Sequence, residues 1–219
     1  MSETTSSQEL EATLNKTDLG HIVYEKRKAI VAFIIALLVA VLGWMSVKSI
    51  KTNQEMKNSE MVFNFQNDVW NQVKAGKMSS DELLSKFESL DSAAKSSASI
   101  IPLALEVSKF LVEKNEADKA EKFLSQVQPG NDIGKFFVVH QRAVLLEKLN
   151  KIDEAIELVK SLKTKKDALM PAHLELLLGR LYMVKGDSQN AKATLEGVIN
   201  TYPNDEEAKL AKLYLGEVK

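Results

Sequence analysis

The chain is predicted to be all-α, with a single N-terminal transmembrane helix followed by a solenoid of helical hairpins. Three observations predict this. The stretch Ala29–Val47, AIVAFIIALLVAVLGWMSV, is 19 residues without a charge. Three segments beyond Ile101 share one pattern, with alanines at 120, 155 and 191 that fall 35 and 36 residues apart. Ala, Leu, Lys and Glu are abundant, Gly 9 and Pro 4 are few, and no run of alternating β-branched residues suggests a sheet.

The apolar stretch would be about 28 Å long as a helix, close to the roughly 30 Å hydrocarbon core of a bilayer. Only a helix satisfies its own backbone groups there. A core helix of this length would show a polar face, and the stretch has none beyond Ser46 at its end. It is longer than the core of a secretory signal, and Trp44-Met45-Ser46-Val47-Lys48 offers no small-x-small cleavage pair. A retained signal anchor at 29–47 is therefore expected. Lys16, Lys26, Arg27 and Lys28 precede it, and Lys48, Lys51 and Lys57 follow. That bias orients the N-terminus to the cytoplasm and the rest of the chain outward. Ala29, Ala32, Ala36, Ala40 and Gly43 form one stripe of small residues, the pattern that lets a second helix approach in lipid. Alanine is also simply common in such helices.

Residues 1–28 are rich in Ser, Thr and Glu and are expected to be a disordered cytoplasmic tail. They hold 4 of the 29 basic and 5 of the 30 acidic residues, which leaves the remainder balanced at 25 and 25. No large single-sign field exists to bind nucleic acid. The absence of cysteine excludes disulfides, thiol nucleophiles and a lipid-bearing cysteine.

Residues 48–99 are expected to form juxtamembrane amphipathic helices. Lys48 to Ala75 contains neither Gly nor Pro, so the anchor can continue outward as helix. Met56, Phe63 and Trp70 recur every seven residues, with Val62, Val69 and Val73 beside them. This apolar side needs a cover, from the following domain or from a partner or coiled-coil dimer. Gly76 ends the helix. Ser79-Ser80-Asp81-Glu82 then reads as a capping box before Leu83, Leu84, Phe87 and Leu90. Ser92–Ser99 reads as a frayed helix end or a loop.

Residues 100–219 are expected to be a repeat array. Leu111–Leu124, Leu146–Val159 and Tyr182–Leu195 align, and each aligned alanine follows a turn residue, Asn115, Asn150 or Gly186, by five positions. The last unit, with Leu178-Gly179, Tyr182, Gly186-Asp187, Ala191, Leu195 and Pro203, resembles the tetratricopeptide repeat. Glu175 stands where that motif has an aromatic, and Ser108 and Ala143 replace Gly179 in the earlier units. Glu206–Val218 reads as a terminal capping helix.

The order of parts (short tail, one anchor, an outward helix from Phe63 to Gly76-Lys77, then weak repeats) resembles the YfgM-like ancillary subunits of the bacterial Sec translocon. The resemblance implies a single-pass inner-membrane protein with a periplasmic repeat domain, partnered by translocon subunits and by folding factors or nascent exported chains. It transfers no individual residue role.

Catalytic chemistry is not expected. His21, His140 and His173 lie in no HExxH, and there is no GxxxxGK[ST] or GxSxG. Asp81-Glu82 and Asp205-Glu206-Glu207 sit at helix starts, where acids complement the dipole. No cofactor or metal is expected. The repeat resemblance implies instead a concave face lined by the first helix of each unit. Its positions are Leu105, Lys109 and Val112; then Phe137, His140, Val144, Glu147 and Lys148; then His173, Leu176, Arg180 and Met183. This mixture of apolar, aromatic and cationic groups suits a peptide or helix better than a small molecule. Two alternatives stay open: the face is free for a ligand, or the array fills it with its own helices. Homo-oligomerisation also remains open.

Overall fold

The computed structural model describes residues 27–163 and 169–218, so the expected tail lies outside the described residues apart from Arg27 and Lys28. The described residues form helices and turns only, so the fold is all-α. The chain divides into two compact units, residues 1–54 and 55–219.

The first unit is described as the start of α1 (Arg27–Phe65). No described residue in the most apolar window of this helix is buried, unlike the core helix of a soluble protein. It is long and apolar enough to cross a membrane. Its polar side chains bond backward: Ser46 Oγ donates to the Leu42 carbonyl at 2.9 Å and Thr52 Oγ1 to that of Lys48 at 3.0 Å. Such bonds satisfy a hydroxyl without a partner outside the helix. Ala32, Ala36, Ala40 and Gly43 are exposed, and a Cβ built on Gly43 would meet nothing within 4 Å. Ala29 lies in the same helix.

The second unit begins with the end of α1, a π-helical turn (Gln66–Trp70) and α2 (Asn71–Lys74). Here the seven-residue pattern fails. Trp70 is fully buried, whereas Met56 and Phe63 are 65% and 62% exposed. A π turn takes up one extra residue, which slips the helical phase by about 100° and carries Trp70 away from the Phe63 face. The buried face is instead Val62, Phe65, Val69, Trp70 and Val73, and its cover is the following helices.

Next come α3 (Ser80–Glu88), α4 (Ser92–Ser96), α5 (Ile100–Glu113), α6 (Ala117–Ser125), α7 (Asp132–Lys148) and α8 (Ile152–Lys163). They are followed by α9 (Pro171–Lys185), α10 (Ser188–Thr201) and α11 (Glu206–Glu217). Ser79 and Glu82 form the expected capping box at α3. The Ser92–Ser99 stretch is more ordered than its composition suggests. Asp91 caps α4, and Ser97 Oγ reaches Glu55 Oε2 at 3.3 Å.

Four left-handed residues close four hairpins: Gly76 (φ 70°), Asn115 (φ 61°), Asn150 (φ 58°) and Gly186 (φ 80°). Each amide donates to the carbonyl three residues back, at 3.0, 3.0, 2.9 and 2.9 Å respectively. The next amide reaches five back, at 2.9, 2.8, 2.8 and 2.9 Å. This is the Schellman closure, in which a left-handed residue lets the chain satisfy a helix's last carbonyls. The sequence pattern shows the last three closures. The first, α2 to α3, escapes it because its loop is longer and leucines replace the aligned alanine.

Small residues recur at matching positions of the hairpins. Ser108, Ala143 and Gly179 occupy the equivalent site on α5, α7 and α9, and all three are buried. A Cβ at Gly179 would lie 2.7 Å from Leu195 Cδ2. Ala120, Ala155 and Ala191, the alanines of the repeat, are fully buried on the second helices.

Candidate functional site: a groove across the first helices

The first helices α7, α9 and α11 border a groove of about 290 Å³. Its lining is His140 and Val144 from α7, His173, Leu176, Leu177 and Arg180 from α9, and Leu210 and Tyr214 from α11. The two histidines come from successive hairpins, and their ring centroids stand 5.0 Å apart. Phe136 lies 6.0 Å from each ring, stacked on His140 and edge-on to His173.

Charge in the groove is arranged in pairs. Arg180 donates both terminal nitrogens to Glu147, Nη1 to Oε1 at 2.7 Å and Nη2 to Oε2 at 2.5 Å. This two-pronged geometry fixes the guanidinium plane and ties α9 to α7. His173 Nδ1 lies 3.6 Å from Glu207 Oε1 on α11. Burial holds the His140 imidazole below its ordinary range, and the neighbouring His173 and Arg180 add to the effect. It is therefore neutral at pH 7. Among the described residues no group of three or more potential ligands is placed to hold a metal.

Of the expected concave residues, His140, Val144, His173, Leu176 and Arg180 meet in this groove, and Glu147 anchors its rim. Leu176 is buried as part of its floor. Phe137 and Lys148 are exposed beyond it, and Met183 packs against the cluster of Leu176, Leu195, Val198 and Ala211. Leu105, Lys109 and Val112 lie on α5 and do not line it; Val112 packs on the first core and Lys109 lies 3.9 Å from Glu113.

Leu177, Leu210, Tyr214 and Glu207 complete the site and were not anticipated. The signal for the α11 residues was present. His173, Leu176 and Arg180 are spaced three and four apart, and Glu207, Leu210 and Tyr214 repeat that spacing 34 residues later. The terminal helix thus serves as the first helix of a further repeat.

A model of the tetratricopeptide repeat-like domain matches residues 24–169, two thirds of the chain. The chain belongs to this family. A model of the tetratricopeptide repeat itself matches residues 174–205, which hold most of α9 and all of α10. Neither the curated proteins nor the solved structures give a match. Tetratricopeptide repeat-like domains are typically non-catalytic modules for binding other proteins, so protein partners follow from the family.

Proposed function

We propose that this tetratricopeptide repeat-like protein is a single-pass membrane scaffold beside the Sec translocon. Its N-terminus is cytoplasmic, and its repeat unit links exported chains to periplasmic folding factors. The observation that carries the binding role is the groove: an apolar floor and a rim of paired polar groups, built on the first helices of the array. That chemistry takes up a short peptide or one face of a helix. The translocon assignment is supported by the resemblance in the order of tail, anchor, outward helix and repeats.

The test is site-specific photocrosslinking in cells, from Val144 in the groove and from Ala36 in the anchor. Adducts with translocon subunits, folding factors or exported chains are expected. A reporter fused after Lys219 should be active only outside the cytoplasm, and cytoplasmic activity would discard the assignment. Replacing Ala36 and Ala40 with leucine should leave insertion intact and weaken association within the membrane. Unchanged association would reduce the anchor to a tether.

One observation favours a second reading, an envelope organiser acting through self-association. Leu213 on α11, outside the groove lining, is 61% exposed, an apolar side chain that a second copy could cover. Crosslinks only between copies of the chain would decide for this reading.

A further inference from the structure

The groove contains an imidazole that the described residues leave without a hydrogen-bonding counterpart. Glu147 is taken by Arg180, and Glu207 faces His173. His140 makes only ring contacts, with Phe136 and His173, and has no hydrogen-bond or ion-pair partner among the described residues. The charged and titratable groups around it are Glu147 on its own helix, His173 and Arg180 on α9, and Glu207 and Tyr214 on α11. Around this imidazole the lining is apolar: Val144, Leu176, Leu177 and Leu210.

We propose that the groove binds a peptide segment carrying one Asp or Glu among apolar residues, and that His140 takes up a proton from solvent to pair with that carboxylate. The inference rests on the binding role of the groove and names its ligand chemistry and regulation. With the groove empty, burial, His173 and Arg180 disfavour the charged imidazole. A carboxylate beside the ring reverses the balance. The free protein then holds fewer protons at His140 than the complex, so affinity rises as pH falls through the bound-state value. The carboxylate itself stays ionised over that window, since its own value lies near 4.

The test uses the full chain in phospholipid nanodiscs and two amidated synthetic peptides, identical and apolar except for a central Glu or Gln. The Glu peptide should bind about tenfold tighter near pH 6 than near pH 7.5, and the Gln peptide equally at both. Calorimetry in buffers of different ionisation enthalpy should show proton uptake for the Glu peptide alone. His140→Gln should abolish the pH response, and His140→Arg should fix the preference for Glu over Gln at all pH values. The same pH response for both peptides, or its survival in His140→Gln, overturns the inference while leaving the groove a binding site. If neither peptide binds, the binding role fails and takes this inference with it.

Discussion

The first two hairpins and the last two share one closing geometry but are filled differently. In the first two, aromatic rings seal the core: Phe87 and Phe123 stack at 4.0 Å, Phe65 meets Phe87 edge-on at 5.5 Å, and Trp70 meets Phe110 at 5.0 Å. In the last two, the core is mainly aliphatic, with Phe136 as its buried ring, and split into two clusters. Their first helices are joined instead by the Arg180–Glu147 fork and the facing histidines. Large rings fill the space between helices, whereas a fork braces two helices and leaves space beside it. The same scaffold thereby makes a closely filled base and an accessible groove.

The strongest way to break this contrast is to truncate one side chain in each half. Phe87 is fully buried between two rings. Phe87→Ala should cost about 3–5 kcal/mol, the sum of lost transfer and cavity terms. Val144, half-buried in the groove wall, already borders open space, so Val144→Ala should cost about 1 kcal/mol or less. Urea midpoints followed through Trp70 fluorescence compare the two. Equal losses would show that the groove region is as tightly packed as the base.

The equivalent sites Ser108, Ala143 and Gly179 sharpen the comparison. A methyl at Gly179 would press on Leu195, which is fully buried and has no room to retreat. Overpacking costs about 1–3 kcal/mol, and the helix propensity of alanine returns about 1 kcal/mol. Gly179→Ala should therefore be a net loss of up to about 2 kcal/mol by urea denaturation. Ser108 carries the opposite mismatch, a buried hydroxyl with no hydrogen-bond partner. Ser108→Ala removes it with little change of shape and should gain about 1 kcal/mol. A loss there would mean that the hydroxyl is satisfied after all.

These cases also mark how far the sequence could be read. The apolar helix, the last three hairpin turns and the small residues at their crossings were legible, because each is a local requirement written in residue type and spacing. The first hairpin was legible as a turn, from Gly76 and the capping box at Ser79, but not as a repeat. Its closing Gly76 has the same geometry as Gly186, but two extra residues before the next helix and the π turn at Gln66–Trp70 break the period. The histidine pair was half-legible. Both residues fall on the expected concave face, yet their approach to 5.0 Å depends on the crossing of α7 and α9, which no spacing encodes. The part of α11 in the groove was missed because the spacing of Glu207, Leu210 and Tyr214 was not compared with that of His173, Leu176 and Arg180.

The base also has a polar link between its hairpins, and its pH response differs in kind from that proposed for the groove. Ser80 Oγ on α3 donates to Glu116 Oε2 at 2.5 Å, and Lys119 Nζ bridges Glu116 at 3.2 Å and Asp81 at 2.8 Å. The Ser80 hydroxyl, more than the lysine, holds the Glu116 carboxyl below its usual range of about 4.5. A carboxylate lowered in the folded state stabilises fully above its unfolded value, and the contribution fades as pH falls through the folded one. Ser80→Ala should therefore shrink the stability lost between about pH 6 and pH 3.5, by no more than about 1 kcal/mol because the pair is partly solvated. Urea midpoints at the two pH values read the difference. The effect is confined to the acid side of pH 4.5, whereas the response proposed for the groove is read between about pH 6 and pH 7.5, so the two halves can be separated by pH alone. An unchanged acid-side loss in Ser80→Ala would move the anchoring of Glu116 from the hydroxyl to Lys119.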